Sequence, residues 1–585
     1  MAERPYRRGG RRPPLAGLGV SPGTGAGPAC RLAGRVPEPP AGERHDGDPE
    51  AAVAAVAAAL EETAEDLEAR GHGAPEAAKI LDAQALMARD PSIADDVSRR
   101  IRAGTSAPRA VYEAFGSFRE VLASAGGYLA ARTADLDDVR DRALARLLGV
   151  PQPGVPRSAD PFVLVARDLA PADTATLDPA MVLAFATDEG GPTSHTAILA
   201  RAIGVPAVVA CPGVSDLPDG TLVLVDGDAG TVTVDPEPEQ AKRARSARAE
   251  TAAAPPGGPG RTADGHRVAL LANVGAPGDL AGALDAGAEG IGLYRTEFLF
   301  LGRTAAPGED EQAKVYEQAL AAFPGSGKPA DGDGAADGAA ARGPVVVRVL
   351  DAGADKPLGF LPPPADEPNP ALGERGLRML RRHPDVLGTQ LRALARAADA
   401  VGDAGGRLEV MAPMVADTDD ARWFAARCRE AGISRPGIMI EIPGAALRAA
   451  DLAPEVEFFS IGTNDLAQYA AAADREAAGL ARLQDPWQPM LLDLVAVTAA
   501  AAAAAGKPCG VCGEAAADPA LACVLAGLGV TSLSMSPRAL IPVRAALAGQ
   551  TMAACRAAAD AARHAVSAAS AREAARTVID LGARS

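Results

Sequence analysis

Aromatic side chains are scarce in this chain. Trp, Tyr and Phe make up only 3% of it while 48% is apolar, and alanine supplies much of that apolar count. The skew fits a bias in coding composition and carries no functional signal. A basic excess is also missing: 58 Lys and Arg stand against 75 Asp and Glu, a formal charge of −17. That argues against nucleic acid as a main partner, because phosphate backbones are bound by dense Lys/Arg fields. The exception is Arg7 to Arg12, where four arginines sit among Gly and Pro. Residues 1–14 read as a disordered basic tail, and with no long apolar run behind them they are no secretory signal. No stretch approaches the roughly 20 apolar residues that a membrane span needs, so no membrane insertion is expected. Seven scattered cysteines form no regular framework, which fits a reducing cytoplasm. Cys509 and Cys512 make a single C-x-x-C with no second pair, an argument against zinc or dithiol redox chemistry.

What is present divides into blocks. A chain of 585 residues exceeds one core and implies two to four domains. Residues 15–30 are Gly-rich and read as a strand with tight turns. From about 50 to 148 the apolar spacing is helical: Val53, Val56, Leu60 and Leu67 share one face, as do Val111, Phe115, Phe118 and Leu122. Short polar joints between such stretches predict an antiparallel bundle over 36–148. From 160 to 236 the texture is α/β, with the runs PFVLVA, MVLAFA, AVVAC, TLVLVDG and GTVTVD bounded by Gly, Pro and Asp. Residues 15–35 and 149–236 are therefore assigned to one α/β domain that the bundle interrupts. Residues 237–261 read as a linker helix and a flexible joint.

The remainder, 262–585, holds eight strand-like runs alternating with helical stretches, the pattern of a closed (β/α)8 barrel. A low-complexity insertion, 325–343, interrupts it. Most runs end in a polar or reactive residue: Asn273, Arg295, Arg348, Glu441, Asp465 and Cys512. Polar residues often just begin loops, but such a barrel builds its site at its strand C-termini, and six chemically matched residues point to one converging mouth.

The strongest local signal is GGPTSHTAILARAIGVPAVV, residues 190–209. A Gly-Gly-Pro turn leads through Thr193 and Ser194 to His195 at the start of a helix, where free backbone N–H groups can cradle an anion. A neutral imidazole there can attack a phosphoryl group. A histidine at a helix start more often caps or packs; the whole twenty-residue string is what tips the reading. It closely resembles the phosphohistidine motif of the phosphoenolpyruvate-utilising enzymes, in the version of Enzyme I of the phosphoenolpyruvate:sugar phosphotransferase system. Thr174 matches a threonine that packs near the histidine in that family.

Phosphoenolpyruvate brings a phosphate and a carboxylate, and its use needs a metal, cationic clamps and a proton for carbon. Glu441 in MIEIPGA and Asp465 in SIGTNDLAQYAAAADR suit an octahedral Mg²⁺ site completed by waters. Arg295, Arg348 and Arg475 are candidate clamps, since guanidinium forks bind phosphate and carboxylate bidentately. Asn464 can donate a further hydrogen bond. Cys512 is a candidate general acid for C3 of the enolate, because a thiol is mostly protonated at neutral pH; the cysteine of the equivalent CGE string has this role in Enzyme I. Gly513 and Glu514 complete that string as supporting residues. With Arg375, Arg378 and Arg392, these residues match Enzyme I motif by motif and in order.

The resemblance covers about residues 15 to 580. It implies a swivelling phosphohistidine α/β domain, an inserted bundle that docks the histidine-containing phosphocarrier protein, and a barrel that binds phosphoenolpyruvate and dimerises. The implied activity is transfer of the phosphoryl group to His195 and on to the carrier, in the cytoplasm, with release of pyruvate. Departures from the family pattern are Gln84, Ala131, Asp137, Ala354 and Glu374, none at a residue with a direct chemical role. Pyruvate phosphate dikinase and phosphoenolpyruvate synthase share the core but need an ATP-binding domain ahead of the histidine, where only about 150 residues stand, without a nucleotide loop. Nitrogen-related and dihydroxyacetone-kinase phosphodonors differ by the acceptor they serve. A non-catalytic homologue would show erosion at the mouth.

Overall fold

The computed structural model describes residues 13–579 except 22, 33–35, 74–77, 126–132, 151, 155–157, 159, 168, 170–176, 178–180, 191–195, 198–199, 201–203, 228, 245–257, 324–342, 355, 362–366, 403–406 and 475–477. The chain divides into two compact units, Met1–Arg248 and Ala249–Ser585.

The first unit opens with three short strands, β1 (Leu15–Ala16), β2 (Leu18–Ser21) and β3 (Thr24–Arg31), where the Gly-rich stretch was expected to form a single strand. Five helical segments follow among the described residues: α1 (Pro49–Gly73), α2 (Ala78–Ala88), α3 (Pro91–Arg102), α4 (Ala107–Ala125) and α5 (Thr133–Leu148). Their apolar faces meet in one core that includes Val56, Leu60, Leu67, Val111 and Phe115, with Val53 and Phe118 packed at its edge. The start of α3 shows local causes at work. Asp90 caps it by accepting from the Ser92 N–H at 2.8 Å, and Pro91 occupies the first turn, where its missing N–H costs nothing. Gln84 is 1% exposed, so it influences the bundle through packing and its 3.3 Å hydrogen bond to Asp135.

Strands β4 (Phe162–Ala166), β5 (Val182–Thr187), β6 (Ala207–Val209), β7 (Leu222–Asp226) and β8 (Thr231–Val234) complete an eight-stranded sheet in the order β1-β8-β7-β3-β4-β5-β6-β2. Its centre, β3 to β6, is parallel and its flanks are antiparallel. Side chains alternate between two cores: Phe162 and Leu164 enter one, Val163 and Val165 the other. That two-sided burial explains why the runs are almost wholly apolar. The helical segment 238–244, expected as part of a linker, buries Ala241 and Ala244 against Ala26 of β3 and so belongs to this first unit.

The second unit is a closed barrel of parallel strands: β9 (Ala269–Val274), β10 (Ile291–Tyr294), β11 (Val345–Arg348), β12 (Leu408–Ala412), β13 (Pro436–Ile440), β14 (Phe458–Ile461), β15 (Cys509–Val511) and β16 (Ser532–Met535), with β16 pairing back to β9. Seven of the strands fall within the expected apolar runs, and β13 begins one residue before its run, at Pro436. Helices cover the outside, and Leu293, Val346, Met411, Met439, Phe458 and Cys512 form a separate cluster in the interior. Burying each large aliphatic side chain in such cores contributes about 1.5–3 kcal/mol. The expectation that no run has the length and apolarity of a membrane span is corrected at Arg482–Ala504, 23 residues that meet both criteria. Asp485 and Pro489 break that run, and its helical part, Pro489–Ala504, sends Leu491, Leu492, Val495, Ala499 and Ala502 into the barrel core.

Candidate functional site

The barrel register carries six polar residues to one end. Asn273 is the penultimate residue of β9, Arg295 follows β10, Arg348 ends β11, Glu441 follows β13, Asp465 lies in the first turn of the helix Thr463–Ala471 after β14, and Cys512 follows β15. All are at strand C-termini, where strand-end residues of a parallel barrel converge.

Glu441 is 1% exposed, and its Oε1 accepts the Met414 N–H at 2.6 Å. Its Oε2 is buried without a hydrogen-bond partner among the described residues. Burial pushes the Glu441 carboxyl up to about 8, with the Asp465 and Asp351 carboxylates adding to the shift and Arg348 opposing it. Gly462 stands directly behind it, and a Cβ there would come 3.1 Å from Oε2. Buried carboxylate oxygen facing further carboxylates is the electrostatic complement of a cation. Among the described residues no cluster of three or more His, Cys, Asp or Glu is arranged for a metal. Glu441 and Asp465 are the two carboxylates here that could hold a cation.

A chain of ion pairs runs beside these carboxylates. Arg348, 7% exposed, donates to Glu297 and lies 3.4 Å from Asp351 Oδ2. Its Nε–H has no protein partner among the described residues. The same Asp351 oxygen accepts from Arg375 at 2.9 Å and Lys356 at 3.3 Å, and Arg375 reaches on to Asp465 Oδ1 at 3.4 Å. Burial alone would raise the Asp351 carboxyl, but Arg348, Lys356 and Arg375 overcome it and hold the group well below the ordinary carboxylate range. Asp351 and Glu297 were not singled out in the sequence, although LDAGADKP and RTEF carry them. The expected clamp Arg348 has its charge balanced by those two residues, whereas Arg295 is exposed and makes no ion pair among the described residues.

Below the mouth, Cys512 is 4% exposed, and its Sγ lies 3.6 Å from the Ile461 carbonyl. Burial raises its thiol, while the Ser460 hydroxyl and the Arg348 charge pull the other way. Asn273 Nδ2 donates to the Cys512 carbonyl at 3.1 Å. The Glu514 N–H donates to Asn464 Oδ1 at 3.0 Å, which directs that amide's NH2 elsewhere. A Cβ on Gly513 would come 2.7 Å from the Thr463 backbone nitrogen, so CGE and GTND pack as one unit. Cys509, read as core, is buried in β15.

His195, Thr174, Thr193, Ser194 and Arg475 lie outside the described residues, as do Ala131 and most of the 325–343 insertion. Thr196 and Ala197, which follow the histidine in sequence, are helical and buried.

Comparison with known proteins agrees along the chain. Family models of PEP-utilising enzymes match residues 16–132 (N-terminal), 159–230 (mobile domain) and 250–552 (PEP-binding domain). The phosphoenolpyruvate-protein phosphotransferase of Streptomyces coelicolor is 58% identical over 97% of this chain and 99% of its own. Its namesake in Haloferax volcanii is 40% identical over 91% of this chain and 94% of its own. That of Bacillus subtilis is 36% identical over 91% and 93%. With three matching family models in order and such identity over nearly its whole length, the chain belongs to the phosphoenolpyruvate-protein phosphotransferase (Enzyme I) family.

Proposed function

We propose that the protein takes the phosphoryl group of phosphoenolpyruvate onto His195 and hands it to a histidine of a small phosphocarrier protein, releasing pyruvate, as the first step of a sugar phosphotransferase system. The observation that carries this reading is Glu441, a buried carboxylate with an unpartnered oxygen beside Asp465, with Cys512 beneath the same mouth.

The family uses a divalent metal, and we assign Mg²⁺ to Glu441 and Asp465. When bound, such an ion neutralises phosphate charge and polarises the phosphoryl oxygens. Arg295 and Arg475 clamp the phosphate and carboxylate of the substrate, and Asn464 donates from its NH2. Arg348 and Arg375 hold Asp351 and Asp465 in place, and Arg348 keeps one N–H for the substrate. The His195 imidazole attacks phosphorus, the bridging P–O bond breaks, and an enolate remains. Cys512 then gives its Sγ proton to C3, forming the methyl group of pyruvate. Thr174, Thr193, Ser194, Gly513 and Glu514 support these groups.

By the same reading, 15–35 with 149–236 is the phosphohistidine domain, 36–148 the carrier-docking bundle, and 262–585 the barrel through which two copies of the chain pair in the cytoplasm. The test is incubation with ³²P-labelled phosphoenolpyruvate, with and without Mg²⁺, for wild type and His195→Ala. Metal-dependent, acid-labile label on wild type alone, chased onto an added carrier, supports the proposal; equal labelling of both proteins refutes it.

A further inference from the structure

The barrel interior is unusual beneath Cys512. Small barrels are filled by layers of bulky branched side chains, yet here β10, β14, β15 and β16 turn Gly292, Ser460, Gly510, Ser532 and Ser534 towards a cavity of about 310 Å³. It lies at the end opposite the mouth, since Ala269 and Phe458, which also line it, start their strands, and Pro344 and Pro508 immediately precede theirs. The volume is ample for several waters, each occupying about 30 Å³ in the liquid. Its lining includes Glu409, bonded to Arg435 at 2.8 Å, and the Arg435 side chain is 35% exposed, so the cavity reaches towards solvent on that side.

Two hydroxyls connect this space to Cys512. Ser460 pairs with Gly510 across β14 and β15, two residues before Cys512, and lines the cavity; it adjoins Ile461, whose carbonyl lies 3.6 Å from the Cys512 Sγ, and its hydroxyl pulls the thiol downward. Ser534 donates to Asn273 Oδ1 at 2.6 Å, and Asn273 in turn holds the Cys512 carbonyl. One route reaches the sulfur and the other fixes the backbone that carries it.

We propose that Ser460 is the relay that reprotonates Cys512 from water in the barrel-interior cavity. This rests on the reading of Cys512 as the acid for C3. After C3 takes the proton, sulfur is left as a thiolate at a site only 4% exposed, under a mouth holding pyruvate. The Ser460 O–H bond breaks as an S–H bond forms. The Ser460 oxygen takes a proton from a cavity water, and the resulting hydroxide takes one from bulk water along the cavity. One solvent proton replaces the one given to pyruvate, and nothing is oxidised or reduced.

The test follows exchange of pyruvate methyl protons with D2O by NMR, on full-length phosphorylated protein with Mg²⁺, beside the rate of label formation from phosphoenolpyruvate. Ser460→Ala is expected to lower the ratio of exchange to label formation about tenfold, a modest share of the usual general-acid contribution. Ser460→Thr, with a hydroxyl and room for its methyl group in the cavity, is expected to restore that ratio. Ser532→Val, which fills the cavity from the far side, is expected to lower it. If Ser460→Ala exchanges as fast as wild type while Cys512→Ala does not, the relay is refuted and the acid stands. If Cys512→Ala also exchanges at the wild-type rate, both are lost. An equal fall in exchange and label formation for Ser460→Ala marks a structural effect and overturns the relay.

Discussion

Arg375 and Asp351 meet in an ion pair closed off from water: Nη2 lies 2.9 Å from Oδ2, and each side chain is 1% exposed. The same oxygen also serves Arg348 and Lys356, at 3.4 and 3.3 Å. Asp351→Ala would leave buried cations without their shared carboxylate, which costs about 3–5 kcal/mol for such a pair. Urea denaturation of the variant should show a loss of that size, and a change under 1 kcal/mol would contradict the arrangement.

Arg295 makes the opposite case. It is exposed and unpaired among the described residues, so Arg295→Ala should shift stability by no more than about 0.5 kcal/mol. The same substitution should raise the KM for phosphoenolpyruvate at least about tenfold, because a charge-assisted contact worth about 1.5–3 kcal/mol is lost. Steady-state kinetics beside a thermal melt separates the two effects.

The raised Glu441 carboxyl gives the metal-free protein a pH signature. With a folded value of about 8 against an unfolded value of 4.5, the unfolded state loses this proton first. Its contribution to stability is complete below pH 4.5 and declines as pH rises towards 8, by up to about 1.4 kcal/mol per unit. The stability difference between wild type and Glu441→Gln, measured in chelator, should fall across that window. Added Mg²⁺ should stabilise wild type more as pH rises, because the cation takes the deprotonated carboxylate. A difference independent of pH would show that Glu441 titrates normally.

Gly513→Ala places a methyl group 2.7 Å from the Thr463 backbone nitrogen. The turn that presents Asn464 and Asp465 must then move, at a cost of about 1–3 kcal/mol for an overpacked contact. Phosphotransfer should fall further than stability does, which a melt and the labelling assay would show together. Full activity would mean that this turn is free to shift.

Of seven cysteines, Cys30 alone is not buried. Under native conditions a thiol reagent should modify about one group per chain, and slowly, since burial and the nearby Asp219 raise the Cys30 thiol. In urea all seven should react. Rapid native modification of several thiols would be incompatible with the packing.

The barrel was legible because parallel strands are buried on both faces and write themselves as unbroken runs such as VVVR, with punctuation at each end. The candidate site was legible where a residue's chemistry and its strand-end position coincide, as for Glu441 after β13 and Cys512 after β15. Asp351 escaped because its role depends on Arg375, 24 residues later, and on a cation from the same loop. Neither its run nor its neighbours signal that three charges converge there. The segment 238–244 read as a linker because alanine-rich charged helices look alike in sequence; only Ala26 of β3, more than 200 positions earlier, shows where Ala241 and Ala244 are buried. Single strands within the Gly-rich stretch were obscured for a similar reason, since β1 and β2 pair with β8 and β6 far along the chain.

The Glu297–Arg348–Asp351–Arg375–Asp465 chain also restricts how this barrel can diversify. Each member balances its neighbours, so a single charge-changing substitution strands a partner in the interior, whereas paired exchanges conserve the balance. Laboratory evolution towards a new acceptor or a heat-tolerant variant will therefore find its neutral paths in the alanine-rich outer helices, and will cross the mouth only by coordinated double steps.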